Sequence, residues 1–264
     1  MLSLRSCRLL LAFLAITFGA PALSEHAVVQ AEPTAEITVS AAISLKDALN
    51  EIAQLYRAEK PETTIHFNLG ASGSLQLQIE QGALVDLFIS AAPKQMVTLE
   101  SEGLLLPGTR KNLVKNEVVL IVPKGKTGVS SFQDLTGPGV KHIAVGEPQA
   151  VPAGKYAQEI LTHFGIYDTL KPKFVQAQDV RQVLTFVETG NADAGIVYRT
   201  DAMTPNRVTV VAIAPEGSHS PVIYPLAVIK SSKNASEAKE FLSFLLGTKA
   251  SAVLRKYGFL PASR

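Results

Sequence analysis

Four stretches of small and hydroxyl residues stand directly ahead of helical patterns. They are Ala41-Ala42-Ile43-Ser44 before Leu45, Gly70-Ala71-Ser72-Gly73-Ser74 before Leu75, Val151-Pro152-Ala153-Gly154 opening the pattern to Phe164, and Gln178-Asp179-Val180 before Val183. A helix N-terminus carries unpaired backbone N–H groups and the positive end of the helix dipole, which together attract anions. Serine hydroxyls add donors, and Gly73 and Gly154 would let a ligand approach the backbone closely. Each stretch also has a local reading: Ser44, Ser72 and Asp179 as N-caps, and Pro152 as a residue suited to the first helical turn.

Other chemistry finds little support. Gly125-Lys126-Thr127 ends like a phosphate-binding loop, but Leu120 stands where that motif needs glycine. Gly70-x-Ser72-x-Ser74 lacks the closing glycine of a nucleophile elbow. A hydrolase using Ser44 or Ser72 would need a histidine within reach, and the five histidines (26, 66, 142, 163, 219) are dispersed without metal-ligand spacing. Asp86 and Asp193 beside apolar strands read as residues that tie down neighbouring loops. Asn234-Ala235-Ser236 is a glycosylation sequon that matters only in a eukaryotic secretory route.

The elements that must position these stretches alternate. Strand patterns at Ile37–Val39, Thr64–Leu69, Val85–Ile89, His142–Val145, Phe174–Val175 and Ala194–Tyr198 are interleaved with helical patterns at Leu45–Tyr56, Leu75–Glu80, Pro152–Phe164 and Val180–Val187, with a further helix opening at Pro93. Such alternation means βαβ units and mostly parallel sheets. Further strands read at Val118–Val122, Arg207–Ala214 and Tyr224–Ile229, and helices at Ser236–Leu246 and Lys249–Tyr257. The element count is high for one small sheet, and no flexible linker interrupts it. The expected fold is therefore α/β: two similar lobes with mostly parallel sheets, joined by two crossing strands, with a ligand cleft between them. Val118–Val122 crosses outward and Tyr224–Ile229 back, so 36–120 and 226–264 form the first lobe and 121–225 the second. Ligands of such sheets bind at the carboxyl ends of the strands.

Residues 1–24 read as a signal peptide. Arg5 and Arg8 precede an apolar run from Leu9 to Phe18, and Gly19-Ala20-Pro21-Ala22 follows. The run is about half the roughly 20 residues that span a bilayer. Cleavage near Ser24 removes Cys7, the single cysteine, and leaves 23 basic and 23 acidic residues. A cysteine-free chain suits an oxidising compartment. Glu25 to Ala35 reads as a flexible leader. The full chain's formal charge of +2, with no tryptophan, gives no surface for nucleic acid.

A set of motifs in one order then resembles a known family. Ile-Thr-Val-Ser-Ala-Ala-Ile-Ser-Leu (37–45), Gly-Ala-Ser-Gly-Ser-Leu (70–75), Asp-Leu-Phe-Ile-Ser-Ala (86–91), Ala-Val-Gly-Glu-Pro (144–148), Val-Pro-Ala-Gly-Lys-Tyr-Ala (151–157), Asp-Val-Arg (179–181), Gly-Ile-Val-Tyr (195–198) and Arg-Lys-Tyr-Gly-Phe (255–259) look like the periplasmic molybdate-binding proteins of ABC transporters. The resemblance spans nearly the whole chain after residue 35. It departs from the family's usual pattern at Ile43, at Gly73 and at Ala91-Ala92-Pro93. It implies a type II periplasmic binding protein, not an enzyme, that needs no cofactor and holds molybdate or tungstate without charged side chains. It places ligand contacts on Ser44 and Ser72 (hydroxyl and backbone N–H), Ala153 and Val180 (backbone N–H) and Tyr198 (phenol O–H). It implies a monomer that delivers its ligand to a membrane permease. A donor-only site would favour a fully ionised dianion over hydrogen phosphate, and cavity size would separate molybdate from sulfate.

Overall fold

A computed structural model describes residues 35–203 and 207–262. The expected signal peptide 1–24, with Cys7, and the leader up to residue 34 lie outside the described residues. Ala35 already pairs with Thr63, so the leader ends one residue earlier than the sequence suggests.

The first lobe opens with β1 (Ala35–Ala42), α1 (Lys46–Glu59), β2 (Thr63–Gly70), α2 (Ser72–Glu80), β3 (Leu87–Ile89), α3 (Pro93–Ser101) and β4 (Lys111–Lys115). The second comprises β5 (Val118–Pro123), β6 (Ile143–Gly146), α4 (Pro152–His163), α5 (Tyr167–Leu170), β7 (Phe174–Ala177), α6 (Val180–Glu188), β8 (Ala194–Tyr198), α7 (Arg199–Ala202) and β9 (Val208–Ile213). The chain then returns through β10 (Ile223–Val228), α8 (Ala235–Leu245), α9 (Thr248–Lys256) and β11 (Leu260–Pro261). Alternation drives β1: Ile37, Val39 and Ala41 point into the core and are fully buried. Helical spacing drives α1, whose Ala48, Leu49, Ile52 and Tyr56 form its buried face.

The described strands form a six-stranded sheet, β11-β4-β10-β3-β1-β2, and a five-stranded one, β7-β6-β8-β5-β9. Each is built around a parallel trio. β1 pairs in parallel with β2 and β3, and β6 with β7 and β8. The trios are the βαβ units that the alternation implies. The strands added outside them, β10, β4 and β11 in one sheet and β5 and β9 in the other, are antiparallel, so both sheets are mixed.

The crossings differ from the expected ones. Val118–Val122 lies wholly in the second sheet, paired on both sides by β8 and β9, and Tyr224–Val228 lies wholly in the first. The chain changes sheet at Asn116-Glu117 and again between Ile213 and Ile223. The physical reason is burial: Val118, Val119, Leu120, Ile121 and Val122 are all 0% exposed, which is the pattern of a central strand. The polar dipeptide before the run makes the crossing.

Two glycines let α4 sit down on its strand. A Cβ on Gly154 would fall well inside contact distance of the Gly146 carbonyl oxygen, and one on Gly146 would lie 2.5 Å from Val151 Cγ1. Gly154→Ala should therefore destabilise the fold by about 1–3 kcal/mol, the usual cost of overpacking. Thermal unfolding of the protein should show a fall of roughly 2–4 °C per kcal/mol. An unchanged midpoint would mean that the start of α4 can back away from β6 without cost.

Candidate functional site

Register decides where the helices begin. β1 and β2 pair so that Ala42 stands opposite Gly70, the last residue of each strand. From Ala42 the chain enters a 3-10 turn, Ile43–Leu45, that runs into α1; from Gly70 it reaches α2 at Ser72. In the second sheet Gly146 stands opposite Ala177, and α4 and α6 open at Pro152 and Val180. All four starts lie at the carboxyl ends of a parallel trio.

The two carboxyl ends face one cavity. Ala42, Ser44, Gly70 and Ser72 line it from the first lobe, and Val151, Ala153, Val180 and Tyr198 from the second. Ile43, Ala71, Ala91 and Pro152 complete the wall. The structure thus brings together all five residues to which the family resemblance assigned contacts. It also seats two of the departures, Ile43 and Ala91, in the wall. No lining side chain is charged. The cavity is tight, about 10 Å³, roughly the room for one water.

The polar groups of this wall are arranged as donors. The residues preceding the 3-10 turn, α2 and α4 (Ala42, Ala71 and Val151) make no side-chain cap. Only α6 is capped, by Asp179 Oδ1 accepting from the Gln182 N–H at 2.9 Å. The N-cap reading therefore holds for Asp179 and fails for both serines. Ser72 Oγ accepts the Ala91 N–H at 2.9 Å, which leaves its proton free to turn to the cavity. Ser44 Oγ lies 2.9 Å from the Tyr224 hydroxyl. Tyr198 is 1% exposed, and apart from the neighbouring Tyr224 hydroxyl its own hydroxyl has no hydrogen-bond partner among the described residues. Burial pushes the Tyr198 and Tyr224 hydroxyls well above the usual phenol range, so both keep their protons. Buried donors with no acceptor fit an acceptor-only guest, and the donor set suits a small oxyanion.

Contacts across the lobes close around this cavity. The Gly73 N–H donates to the Ala150 carbonyl at 2.9 Å, and a Cβ on Gly73 would lie 2.6 Å from that oxygen. Gly73 and Gly154 thus serve backbone-to-backbone contacts, Gly154 with Gly146, and neither lines the cavity; the expected role in admitting a ligand is corrected. Arg181 in α6 pairs with Asp47 of α1 at 2.8 Å and with Asp201 of α7 at 2.6 Å. Asp201 is fully buried, and burial lifts its carboxyl to about 6 although Arg181 opposes the shift.

The remaining candidates are structural. Asp86 ties loops together through the Thr38 N–H at 2.7 Å and the Ser232 hydroxyl at 2.6 Å. Asp193 holds Lys126 at 2.6 Å and the backbone N–H groups of Lys141 and His142. Burial would raise its carboxyl, but those partners outweigh it and bring it down to about 2. No His/Cys/Asp/Glu cluster able to hold a metal occurs among the described residues. Neither serine has a histidine partner: Ser44 meets a tyrosine and Ser72 a backbone N–H. Sequence reasoning passed over Tyr224 and Asn116. Tyr224 is a hydroxyl inside an otherwise apolar strand, and Asn116 is a buried amide between two strands; those were the available signals.

Comparison with known proteins identifies the family. Residues 37–260 match the family described as bacterial extracellular solute-binding protein. The molybdate-binding protein ModA of Haemophilus influenzae is 39% identical over 231 residues, covering 86% of this chain and 90% of its own. The structure of the Azotobacter vinelandii periplasmic molybdate-binding protein superposes with a TM-score of 0.77 at 28% identity, over 86% of this chain and all of that one. The sulfate-binding protein SubI of Mycobacterium tuberculosis shares the fold, with a TM-score of 0.74 at 17% identity over 87% of this chain and 88% of its own. A family of binding proteins, not enzymes, accounts for a site that gathers donors and offers no nucleophile with a base, and it is to this family, the bacterial extracellular solute-binding proteins, that the chain belongs.

Proposed function

We propose that the protein captures molybdate, and tungstate with it, in the periplasm and delivers it as a monomer to the permease of an ABC transporter. The observation that carries this reading is the chargeless cavity at which the starts of four helices meet two serine hydroxyls and the buried Tyr198 hydroxyl. The names of the relatives, molybdate-binding proteins at 39% and 28% identity, supply the ligand. The signal-peptide pattern of residues 1–24 supports export.

In this reading Ser44 and Ser72 meet the anion with hydroxyl and backbone N–H, and Ala153 and Val180 with backbone N–H. Tyr198 donates its phenol proton. Neutral donors suffice because a hydrogen bond to a charged group is worth about 1.5–3 kcal/mol and several converge. A tetrahedral oxyanion is larger than the room now present, so seating it parts the junctions slightly around the crossings at Asn116-Glu117 and 214–222. The anion binds one lobe first, and the other closes on it. The Arg181–Asp47 pair then holds the lobes from outside the cavity.

Thermal unfolding with molybdate, tungstate, sulfate and phosphate tests the reading. A ligand at about 100 times its Kd adds about 2.7 kcal/mol, a rise of roughly 5–10 °C for a chain of this size. A rise with molybdate and tungstate alone is the expected result. A rise with sulfate too would remove the size filter, and no rise with any anion would end the transport reading.

Ser44→Ala should weaken molybdate binding by roughly 10- to 150-fold in calorimetric titration, because a hydroxyl donor to the dianion is lost. Val180→Ala should leave Kd within about 2-fold, since its contact is backbone. Equal losses at both positions would contradict these roles.

Asp47→Asn removes a partly exposed ion pair between the lobes, a contact worth about 1 kcal/mol. Stopped-flow measurements should show molybdate leaving about 2- to 5-fold faster with an unchanged association rate. A slower association instead would place Asp47 in ligand entry, not in closure.

A further inference from the structure

Asn116, Tyr224 and Ser44 form a chain whose hydrogen-bond direction is fixed at one end. The Glu117 N–H points at the Asn116 amide at 2.9 Å, and a backbone N–H can only donate. The atom facing it is therefore the amide oxygen, Oδ1. The amide nitrogen, Nδ2, faces Thr200 Oγ1 at 2.9 Å and the Tyr224 hydroxyl at 3.3 Å, and it can only donate. Both of its N–H groups are thus spent on oxygen acceptors. The Tyr224 oxygen accepts from Asn116, so the single Tyr224 proton must go elsewhere. Tyr224 is 0% exposed, and two hydroxyls stand beside it: Tyr198, whose phenol is held up by burial and by its bond to Tyr224, as a donor's is, and Ser44 Oγ, at 2.9 Å, which remains as the acceptor. Leaving that proton unmet in the core would be costly. Ser44 Oγ therefore accepts from Tyr224, and its own proton is left to the cavity that Ser44 lines.

We infer that Asn116 and Tyr224 are specificity-determining positioning residues: they set the polarity of Ser44, making it a donor toward the ligand and the site a receptor for fully ionised tetrahedral dianions. This rests on the oxyanion reading of the cavity and names what enforces its selectivity. Neither residue lines the cavity. Tyr224 reaches the wall through Ser44 and also packs edge-on against Tyr198, ring centroids 5.8 Å apart, so the cycle with Ser44 is what isolates the chain. Because Asn116 sits at the crossing and bonds to Thr200 of α7, the same amide that directs the proton is anchored in both lobes.

The test reverses the chain. Asn116→Asp puts an acceptor where Nδ2 donates. Tyr224 then gives its proton to the carboxylate, accepts the proton of Ser44, and leaves Ser44 with only lone pairs toward the cavity. Calorimetric titration with molybdate should show a loss of roughly 10-fold or more in N116D. The same change made in Tyr224→Phe, where the chain is cut, should cost no more than about 2-fold beyond Y224F itself. An equal loss in both backgrounds would mean that the new charge acts through space, and it would overturn the inference; so would wild-type affinity in N116D. Titration with inorganic phosphate at pH 6 should show the ratio of molybdate to phosphate affinity narrowing in N116D and staying put in the double variant. Should N116D fail to fold, the Ser44→Ala and Tyr224→Phe pair decides. A double variant that binds molybdate like S44A supports the chain, and additive losses overturn it. Wild-type protein that binds neither molybdate nor tungstate would overturn the oxyanion reading and this inference together. Wild-type binding with additive losses overturns the inference alone.

Discussion

Buried donors that lack acceptors are the constraint on which the rest of the structure depends. Three of the four strand-to-helix junctions at the cavity carry no side-chain cap, and the buried Tyr198 hydroxyl in its wall faces only another tyrosine hydroxyl. A donor left unmet in a dry site costs about 1–3 kcal/mol. In the proposed complex a single oxyanion would meet several such donors at once. A lysine or arginine in the same place would attract anions more strongly at long range, but its own burial would carry a large desolvation cost, and a point charge discriminates poorly among anions. Fixed dipoles avoid both problems, provided they are held still.

The sheets hold them still. The pairing of Ala42 with Gly70 and of Gly146 with Ala177 brings two helix starts side by side in each lobe. One parallel trio supplies only two starts, on one side of a guest. Surrounding the proposed ion would take a second trio facing the first, and the chain builds the same unit twice and crosses between the two. The crossings have to bend, and they fall where the sequence is polar or irregular, not in the apolar strands. The contacts that span the lobes near the cavity include one backbone hydrogen bond, Gly73 to Ala150, and one partly exposed ion pair, Asp47 with Arg181. Neither is strong enough to close the lobes for good, and a binding protein that releases its ligand needs that balance.

Much of this was legible in the sequence because it rests on local signals. The strand-helix alternation, Pro152 at the head of α4 and the small residues at the four junctions are all readable from neighbouring residues. The convergence of the junctions was not, because it depends on strand register and on two sheets facing one another. The crossings were misplaced for a related reason. An apolar run such as Val118–Val122 looks the same whether it bridges lobes or fills the middle of a sheet, and only its pairing with β8 and β9 distinguishes the two. The serines looked like caps on local grounds and turned out to bond elsewhere, Ser72 to a segment 19 residues away and Ser44 to one 180 residues away. Long-range hydrogen bonds leave no periodic trace.

Selectivity between two fully ionised anions must come from distance, because donors alone treat sulfate and molybdate alike. The fold does not choose either, since a sulfate-binding protein shares it at 17% identity. A rigid ring of donors chooses by leaving some unmet when the guest is too small, at about 1–3 kcal/mol for each one missed. That works only if the lobes cannot close further to follow the smaller ion. Gly73 bears on this limit. With no side chain, its backbone already touches Ala150, and the 2.9 Å hydrogen bond between them leaves little travel. A side chain at this position would meet the Ala150 carbonyl oxygen at 2.6 Å and hold the lobes apart, so glycine here bears on the depth of closure, the quantity on which a size filter built from neutral groups would depend.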